Sequence, residues 1–247
     1  MGQAYGPLRG REMTANVQAR SRGRLAIGRT VLRWTMRAVL AIMLFWAVSI
    51  AVYRVLPPVS TLMLGRWLTL QPVERIYMPL SDISPHLARA AIAAEDSRFC
   101  MHAGIDWFAL QSVIEDAFGD GASRGASTIT MQTVKNILLW PGRSYLRKGL
   151  ELPLALVVDT VWPKRRVMEA YLNIAEWGEG VFGAEAAARR HFGKSARDLT
   201  RREAALLVAA LPNPIARNPA RPTRYLSTYA SRIMGRMGNE NVSCLGA

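Results

Sequence analysis

The feature that most constrains this chain is an unbroken apolar run from Ala38 to Tyr53, which contains Leu44, Phe45, Trp46 and Ile50 and no charged residue. Its length is slightly short of the ~20 residues that span a bilayer. Arg37 and Arg54 at its ends extend it, because their stems lie along apolar surface while the guanidinium groups reach the interface. Trp34, Trp46 and Tyr53 suit the interface, and Pro57-Pro58 ends the helix. A long basic region precedes the run, and no small-x-small cleavage pattern follows before the prolines. An uncleaved anchor therefore fits better than a signal peptide.

The formal charge of +14 would suggest a nucleic-acid partner if it were spread over a folded domain. It is not: Arg9, Arg11, Arg20, Arg22, Arg24, Arg29, Arg33 and Arg37 stand against a lone Glu12, which places +7 in residues 1–37. The positive-inside rule puts this segment in the cytoplasm and everything after Pro57 outside it. Topology thus accounts for half of the charge, and nucleic acid is not an expected partner. The expected divisions are a cytoplasmic Arg-rich segment (1–37), an anchor (38–56), an extracytoplasmic domain (57–236) and a disordered polar tail (237–247).

Residues 59–82 read as a connector, with Thr61, Leu62, Met63 and Leu64 at the membrane surface. Beyond them helical signals dominate, and no period-2 strand stands out. Ser84-Pro85 supplies a cap and first residue for a helix to about Asp96. Asp106 caps a helix with Trp107, Leu110, Ile114 and Phe118 on one face, followed by a flexible loop over 119–125. Ser127 or Thr128 caps the next helix. A segment from Arg143 to Glu151 runs into an apolar stretch that Pro153 breaks or kinks. Pro163 opens a helix through Asn173, and 177–183 is a Gly-rich turn lacking the features of a phosphate loop. Thr200-x-x-Glu203 is a capping box for a core helix over 204–211, and an amphipathic helix covers about 223–236. The domain should be mainly α. Cys100 and Cys244 match no metal or redox spacing. The tail-like C-terminus disfavours a disulfide between them, so Cys100 is expected to be a buried thiol.

Several side chains could carry chemistry. Glu95 and Asp96 close an Ala-rich run, where an apolar floor would raise a carboxyl pKa toward the range of a general acid or base. Alone they read first as a solvated acidic pair ending a helix, since perturbed carboxylates are a minority. Thr128, Gln132, Lys135 and Asn136 share a stripe that is either a solvated face or a cleft wall. Small residues before the stripe, and the free amides of a helix N-terminus, would admit an anion beside Lys135. Arg143, Arg147 and Lys148 add three cations. Glu169 is a second carboxylate, with Arg165 and Asn173 at i,i+4 spacing and a surface ion pair as the plain alternative.

Taken in order, the motifs Glu-Asp-x-x-Phe-x-x-His-x-Gly (95–104), Gly-Ala-Ser-Thr-Ile-Thr-x-Gln-x-x-Lys-Asn (125–136), Arg-Lys-x-x-Glu (147–151) and Lys-Arg-Arg-x-x-Glu-x-Tyr-Leu-Asn (164–173) resemble the peptidoglycan glycosyltransferases. A single anchor without a transpeptidase domain resembles their monofunctional, biosynthetic branch. The resemblance covers about residues 66–220 and implies a lysozyme-like helical domain behind one transmembrane helix. It further implies an enzyme of the inner membrane, with its N-terminus cytoplasmic and its catalytic domain periplasmic.

That family passes the growing glycan from undecaprenyl pyrophosphate to the 4-hydroxyl of the GlcNAc of lipid II, with inversion, forming β-1,4 linkages. The resemblance makes Glu95 the base and Glu169 the second catalytic carboxylate. It places Asp96, Phe99, His102, Gly104, Ser127, Thr128, Gln132, Lys135, Asn136, Arg143, Arg147, Lys148 and Glu151 around the substrate. No cofactor is assigned; a divalent cation, Mg²⁺ or Mn²⁺, at the pyrophosphate is compatible with it. Expected partners are lipid II, the nascent glycan strand and the bilayer, and other cell-wall synthesis and division proteins are compatible. Met131 stands where the family has a first glutamine and Leu150 where it often has lysine, which removes one polar contact and one cation. The rivals are a lysozyme-like lytic enzyme and an inactive scaffold of wall assembly. The cation cluster speaks against the first, and the retained carboxylates against the second.

Overall fold

A computed structural model describes residues 8–118, 125–142 and 144–246. Helix α1 (Leu8–Tyr53) contains the apolar run, and its part Arg29–Tyr53 is long and apolar enough to cross a membrane, with 25 residues at a mean hydropathy of 2.0. The chain divides into two compact units, one ending at Ser49 and the other starting at Ile50.

The second unit is mainly helical. It comprises α2 (Thr61–Leu68), α3 (Pro85–Glu95), α4 (Trp107–Phe118), α5 (Ile129–Leu138), α6 (Tyr145–Val161), α7 (Lys164–Ile174), α8 (Ala184–Phe192), α9 (Arg201–Ala210) and α10 (Arg224–Arg236). Helix α9 is apolar all round and buries every residue from Ala204 to Ala210, as a helix enclosed by its neighbours must. Helices α3 and α10 pack on it, while α5 packs on α6 and α7. The end of α3 and the start of α5 join these two groups.

Local chemistry explains most of the boundaries. Thr128, Ser144, Thr200 and Thr223 each accept a backbone N–H from the first turn of the helix that follows, and Thr200 with Glu203 forms the full capping box. Asp106 Oδ1 accepts from the amides of Phe108 and Ala109, both at 3.1 Å. Ser84 occupies the cap position of α3, but its hydroxyl donates to Leu199 O (2.8 Å) and ties that helix to the segment before α9.

Three features depart from the sequence reading. A small sheet is present, with β1 (Glu74–Arg75) parallel to β3 (Val181–Phe182), which in turn is antiparallel to β2 (Glu176–Gly178). Its strands are too short for alternation to register. The turn joining β2 to β3 depends on Gly180, at φ +71°, where a Cβ would lie 2.8 Å from Pro72 O. Pro153 does not break its helix either: α6 runs through it. A proline inside a helix costs about 3 kcal/mol. Burial of Leu154, Ala155 and Val158 offsets it. Trp107 is exposed rather than packed inward. The loop expected over 119–125 lies outside the described residues except for Gly125.

The largest correction concerns the C-terminus. Cys100 and Cys244 form a disulfide, with a Cα–Cα distance of 5.4 Å. The supposed tail carries a 3₁₀ turn (Ser243–Leu245), Leu245 is buried, and its carbonyl accepts from Arg165 Nη1 at 3.2 Å. Polar composition concealed one apolar anchor and one cross-link. Closing a loop of 144 residues restricts the unfolded chain strongly. We expect Cys244→Ser, or reduction of the wild type, to cost about 2–5 kcal/mol and to lower the melting temperature by about 5–15 °C for a domain of this size. Calorimetry with and without a phosphine reductant checks this.

Candidate active site

The site is organised by one carboxylate. Asp96, the residue that ends α3, is buried; its Oδ1 lies 2.9 Å from His102 Nε2, and its Oδ2 accepts the amide of Ile129, the first residue of α5, at 3.0 Å. Thr128 Oγ1 donates to Gly104 O (2.6 Å) and accepts from Met131 N (3.1 Å). Gly104 has φ +75°, and a Cβ there would stand 2.6 Å from Ala155 O, so only glycine lets this strip cross α6. Phe99 is fully buried beneath the ammonium of Lys164, which pairs with Asp159 (2.7 Å). Asp96, Phe99, His102, Gly104 and Thr128 therefore form a frame that sets α3 against α5.

That frame presents Glu95. Its Oε2 accepts from Gln132 Nε2, one turn into α5, at 2.9 Å. Burial raises its pKa above the ordinary 4.5; the bond from Gln132 and the charge of Lys135 oppose this, and Asp96 adds to it. Beneath lies Tyr171 of α7, whose own pKa is pushed up by burial and then by the charges of Glu95 and Asp96. A cavity of about 510 Å³ opens in front of Glu95. Its walls include Ser127, Thr128 and Asp116, with Arg236 from α10 at the far side.

The cations gather along α5 and the first turns of α6. Glu151, 2% exposed, pairs through Oε1 with Arg147 and through Oε2 with Lys148 Nζ (2.9 Å). Lys148 Nζ also donates to Ser127 Oγ (2.9 Å). Burial lowers the pKa of Lys135; Glu151 opposes this, Arg147 and Lys148 lower it further, and Glu95 raises it. Lys135 thus responds both to the cation cluster and to Glu95. Asn136 reaches this region through its backbone, whose carbonyl accepts from Thr61 Oγ1 (3.3 Å). Arg143 lies outside the described residues.

Glu169 does not join this group. Its Oε1 accepts from Tyr77 OH (2.5 Å) and pairs with Arg166, and its Oε2 accepts the amide of Leu80 (2.9 Å). One turn on, Asn173 binds both backbone groups of Met78. Glu169 and Asn173 together clamp the segment 77–80. Burial alone would raise the pKa of Glu169, but the Leu80 amide, Tyr77 hydroxyl and Arg166 outweigh it and hold the carboxyl below its ordinary value. The carboxylate beside these cations is Glu151, while Glu169 stands against the segment 77–80. Met131 is buried in the core, consistent with its omission from the site.

The Transglycosylase family profile matches residues 63–238. The chain belongs to the transglycosylase family. Proteins named biosynthetic peptidoglycan transglycosylase are similar to it over most of their length. The one from Brucella suis is 53% identical over 199 residues, 81% of this chain and 88% of the relative. That from Rhodospirillum centenum is 54% identical over 205 residues, covering 82% and 89%. That from Agrobacterium fabrum is 50% identical over 210 residues, covering 84% and 93%. This transglycosylase is accordingly a glycosyl-transferring enzyme with a helical, lysozyme-like domain.

Helix α10 contributes cleft residues that the motifs missed. Arg232, Gly235 and Arg236 line a second opening with Ala94 and Gly125, and Tyr229 stands close enough to Glu95 for its pKa to be raised, after burial, by that charge. Their signal was present, since Tyr225, Tyr229, Arg232 and Arg236 fall at i, i+4, i+7 and i+11 on one helix face. The donor chemistry also bears on a metal. Asp96, His102 and Asp106 offer ligand atoms within 4.8 Å of one another. Yet Asp96 is spent on His102 and Ile129, Asp106 on two amides, and Arg98 lies 3.7 Å from Asp106. The triad is a brace in this transglycosylase, and at the cation cluster Glu151 is already neutralised by Arg147 and Lys148.

The raised pKa of Glu95 carries a stability consequence. Below the ordinary carboxylate range the group is protonated in both folded and unfolded chains. As pH rises through the raised folded value, burial of the ionised form costs stability. Glu95→Gln should therefore melt at the wild-type temperature in acid and increasingly above it toward pH 8. Thermal denaturation as a function of pH measures the difference.

Proposed function

We propose that this transglycosylase is a membrane-anchored polymerase of peptidoglycan glycan strands. It joins the growing chain, held on undecaprenyl pyrophosphate, to the 4-hydroxyl of the GlcNAc of lipid II. The observation that carries the reading is the convergence on α5 of one carboxylate of raised pKa, Glu95, bonded to Gln132, and a cation cluster that includes Lys135 and reaches Ser127 through Lys148. The names of the relatives support the substrate class.

The chemistry follows from these positions. A sugar hydroxyl is a weak nucleophile, so Glu95 removes its proton as the oxygen attacks the anomeric carbon of the donor. The bond between that carbon and the phosphate oxygen breaks, and both its electrons leave with the pyrophosphate. Direct displacement turns the α-linked donor into a β-1,4 product. The leaving group needs its charge stabilised more than it needs a proton, and Lys148, Arg147 and Lys135 supply fixed positive charge for this. Arg143 belongs to the same proposal by sequence. Glu151 keeps two of these cations from repelling each other. Gln132 orients Glu95, and Ser127 holds Lys148 toward the cleft. A lytic enzyme acting on a neutral glycan would have no use for the cluster.

The proposed topology has the Arg-rich N-terminus in the cytoplasm and the catalytic unit outside. The Cys100–Cys244 disulfide supports it independently, because such cross-links persist in oxidising compartments. Leu64, Trp67 and Leu68 of α2 are exposed beside the chain's exit from the apolar run, as a membrane surface would favour.

Purified protein incubated with lipid II should yield glycan polymer on gels. Glu95→Gln should lose about 10²–10⁴-fold in turnover while keeping its fold. Glu151→Gln should fall by at least tenfold, whereas Glu169→Gln should lower the melting temperature and spare turnover. Release of fragments from finished peptidoglycan, without polymer, would overturn the reading. Since base catalysis requires ionised Glu95, kcat/KM should rise with pH along a limb above the ordinary carboxylate value of 4.5. Lys135→Met should move that limb to higher pH, because the ammonium favours the ionised form of Glu95.

A further inference from the structure

The exit of the apolar run into the catalytic unit is held almost entirely by polar contacts. Val55 and Leu56 are exposed, and of residues 50–58 only Ile50 and Pro58 are buried. The last carbonyls of a helix have no partners within it and carry partial negative charge. Here the carbonyl of Tyr53 at the helix end, and those of Leu56 and Pro58 just beyond it, accept from side chains in distant parts of the same unit, and the carbonyl of Ile50 accepts one in addition to the Arg54 amide. Trp162 Nε1 donates to Ile50 O (2.8 Å), and Arg166 donates through Nε to Tyr53 O (3.0 Å) and through Nη2 to Tyr53 O (2.8 Å) and Leu56 O. Arg75 Nη2 donates to Pro58 O.

Arg166 is the centre of this arrangement. Its remaining nitrogen, Nη1, donates to Tyr77 OH (2.8 Å) and pairs with Glu169. One planar guanidinium therefore joins the end of the apolar helix, the segment before α3 and helix α7, and Glu169 balances its charge. A lysine could not serve these acceptors at once. Tyr77 and Arg166 are the ionisable groups that act on Glu169, with Arg75 over the Tyr77 ring, while Arg165 is occupied with Leu245 O.

We infer that Arg166 is a positioning residue that fastens the chain's point of exit from the bilayer, residues 50–58, to α7 of the same unit, so that the cleft stays at a set distance from that point when it meets a membrane-borne substrate. The inference rests on the polymerase reading and deepens it. Without this clamp the exit segment would be a loose tether, the cleft would sample many distances from the point of exit, and each productive encounter would cost the lost freedom again. A substrate embedded in the bilayer would feel that cost as a higher KM. A soluble substrate, arriving from any direction, would not.

The test compares full-length wild type, Arg166→Ala, Arg166→Lys and Trp162→Phe on two substrates: lipid II in liposomes, and a short-chain, water-soluble lipid II analogue. Arg166→Ala should raise KM for the liposome substrate about tenfold, misplacement alone being able to cost more than this. Its kcat/KM on the soluble analogue should stay within about threefold of wild type. Trp162→Phe, which removes one carbonyl's donor and leaves Arg166 with Glu169, should give a smaller rise with the same substrate dependence. Arg166→Lys should recover only part of the loss. Equal loss on both substrates, or no loss on either, overturns the inference, as does failure of Arg166→Ala to fold together with an unchanged liposome KM for Trp162→Phe. A wild type that makes no polymer from either substrate sinks the polymerase reading and this inference together, whereas an active wild type with indifferent variants removes only the inference.

Discussion

The Asp96 carboxylate is the contact on which the catalytic unit depends. With one oxygen on His102 and the other on the first amide of α5, it joins the two helix groups of the domain at a single buried point. The free amides at the start of a helix favour a negative partner, so α5 is both positioned and electrostatically satisfied there. Everything chemical follows from that junction. Glu95 is the residue before Asp96, and the register set by Ile129 brings Gln132 to it one turn later. Lys135 follows along the same helix toward Arg147, Lys148 and Glu151.

Much of this was legible in the sequence. Capping signals located the starts of α4, α5 and α9, because a cap is a local contract between neighbouring residues, and Ser84-Pro85 marked the start of α3 although the Ser84 hydroxyl bonds elsewhere. The order of motifs put Glu95 and Gln132 in one site, and the structure shows them hydrogen-bonded. What escaped were relations that no local window contains. In the sequence only Arg165 and Asn173 stood beside Glu169, yet its hydrogen-bond partners Tyr77 and Leu80 lie 92 and 89 residues away. Pro153 looked like a break because local propensity weighs only the lost hydrogen bond and not the burial around it. The face of α10 was readable by spacing but lacked a motif to draw attention to it.

Two carboxylates show how environment divides labour among identical side chains. Glu95 has one hydrogen-bond donor and an apolar floor, so its charge is costly and its proton affinity high. Glu169 has an amide, a hydroxyl and a guanidinium, so its charge is welcome and its oxygens are committed. A group so well satisfied is poorly placed to exchange a proton with a substrate and well placed to hold structure.

The disulfide also orders events in time. On the proposed topology the chain crosses the membrane from its N-terminal side, so Cys100 emerges 144 residues ahead of Cys244. The strip that carries Glu95 must therefore wait, with its thiol reduced or temporarily engaged elsewhere, while α4 through α10 follow it across. A secretion machinery that oxidised cysteines as they appeared would have no partner to offer this one. The covalent closure of the domain thus belongs to the last stage of its biogenesis, and the supply of oxidant on the far side of the membrane sets when the finished fold is sealed.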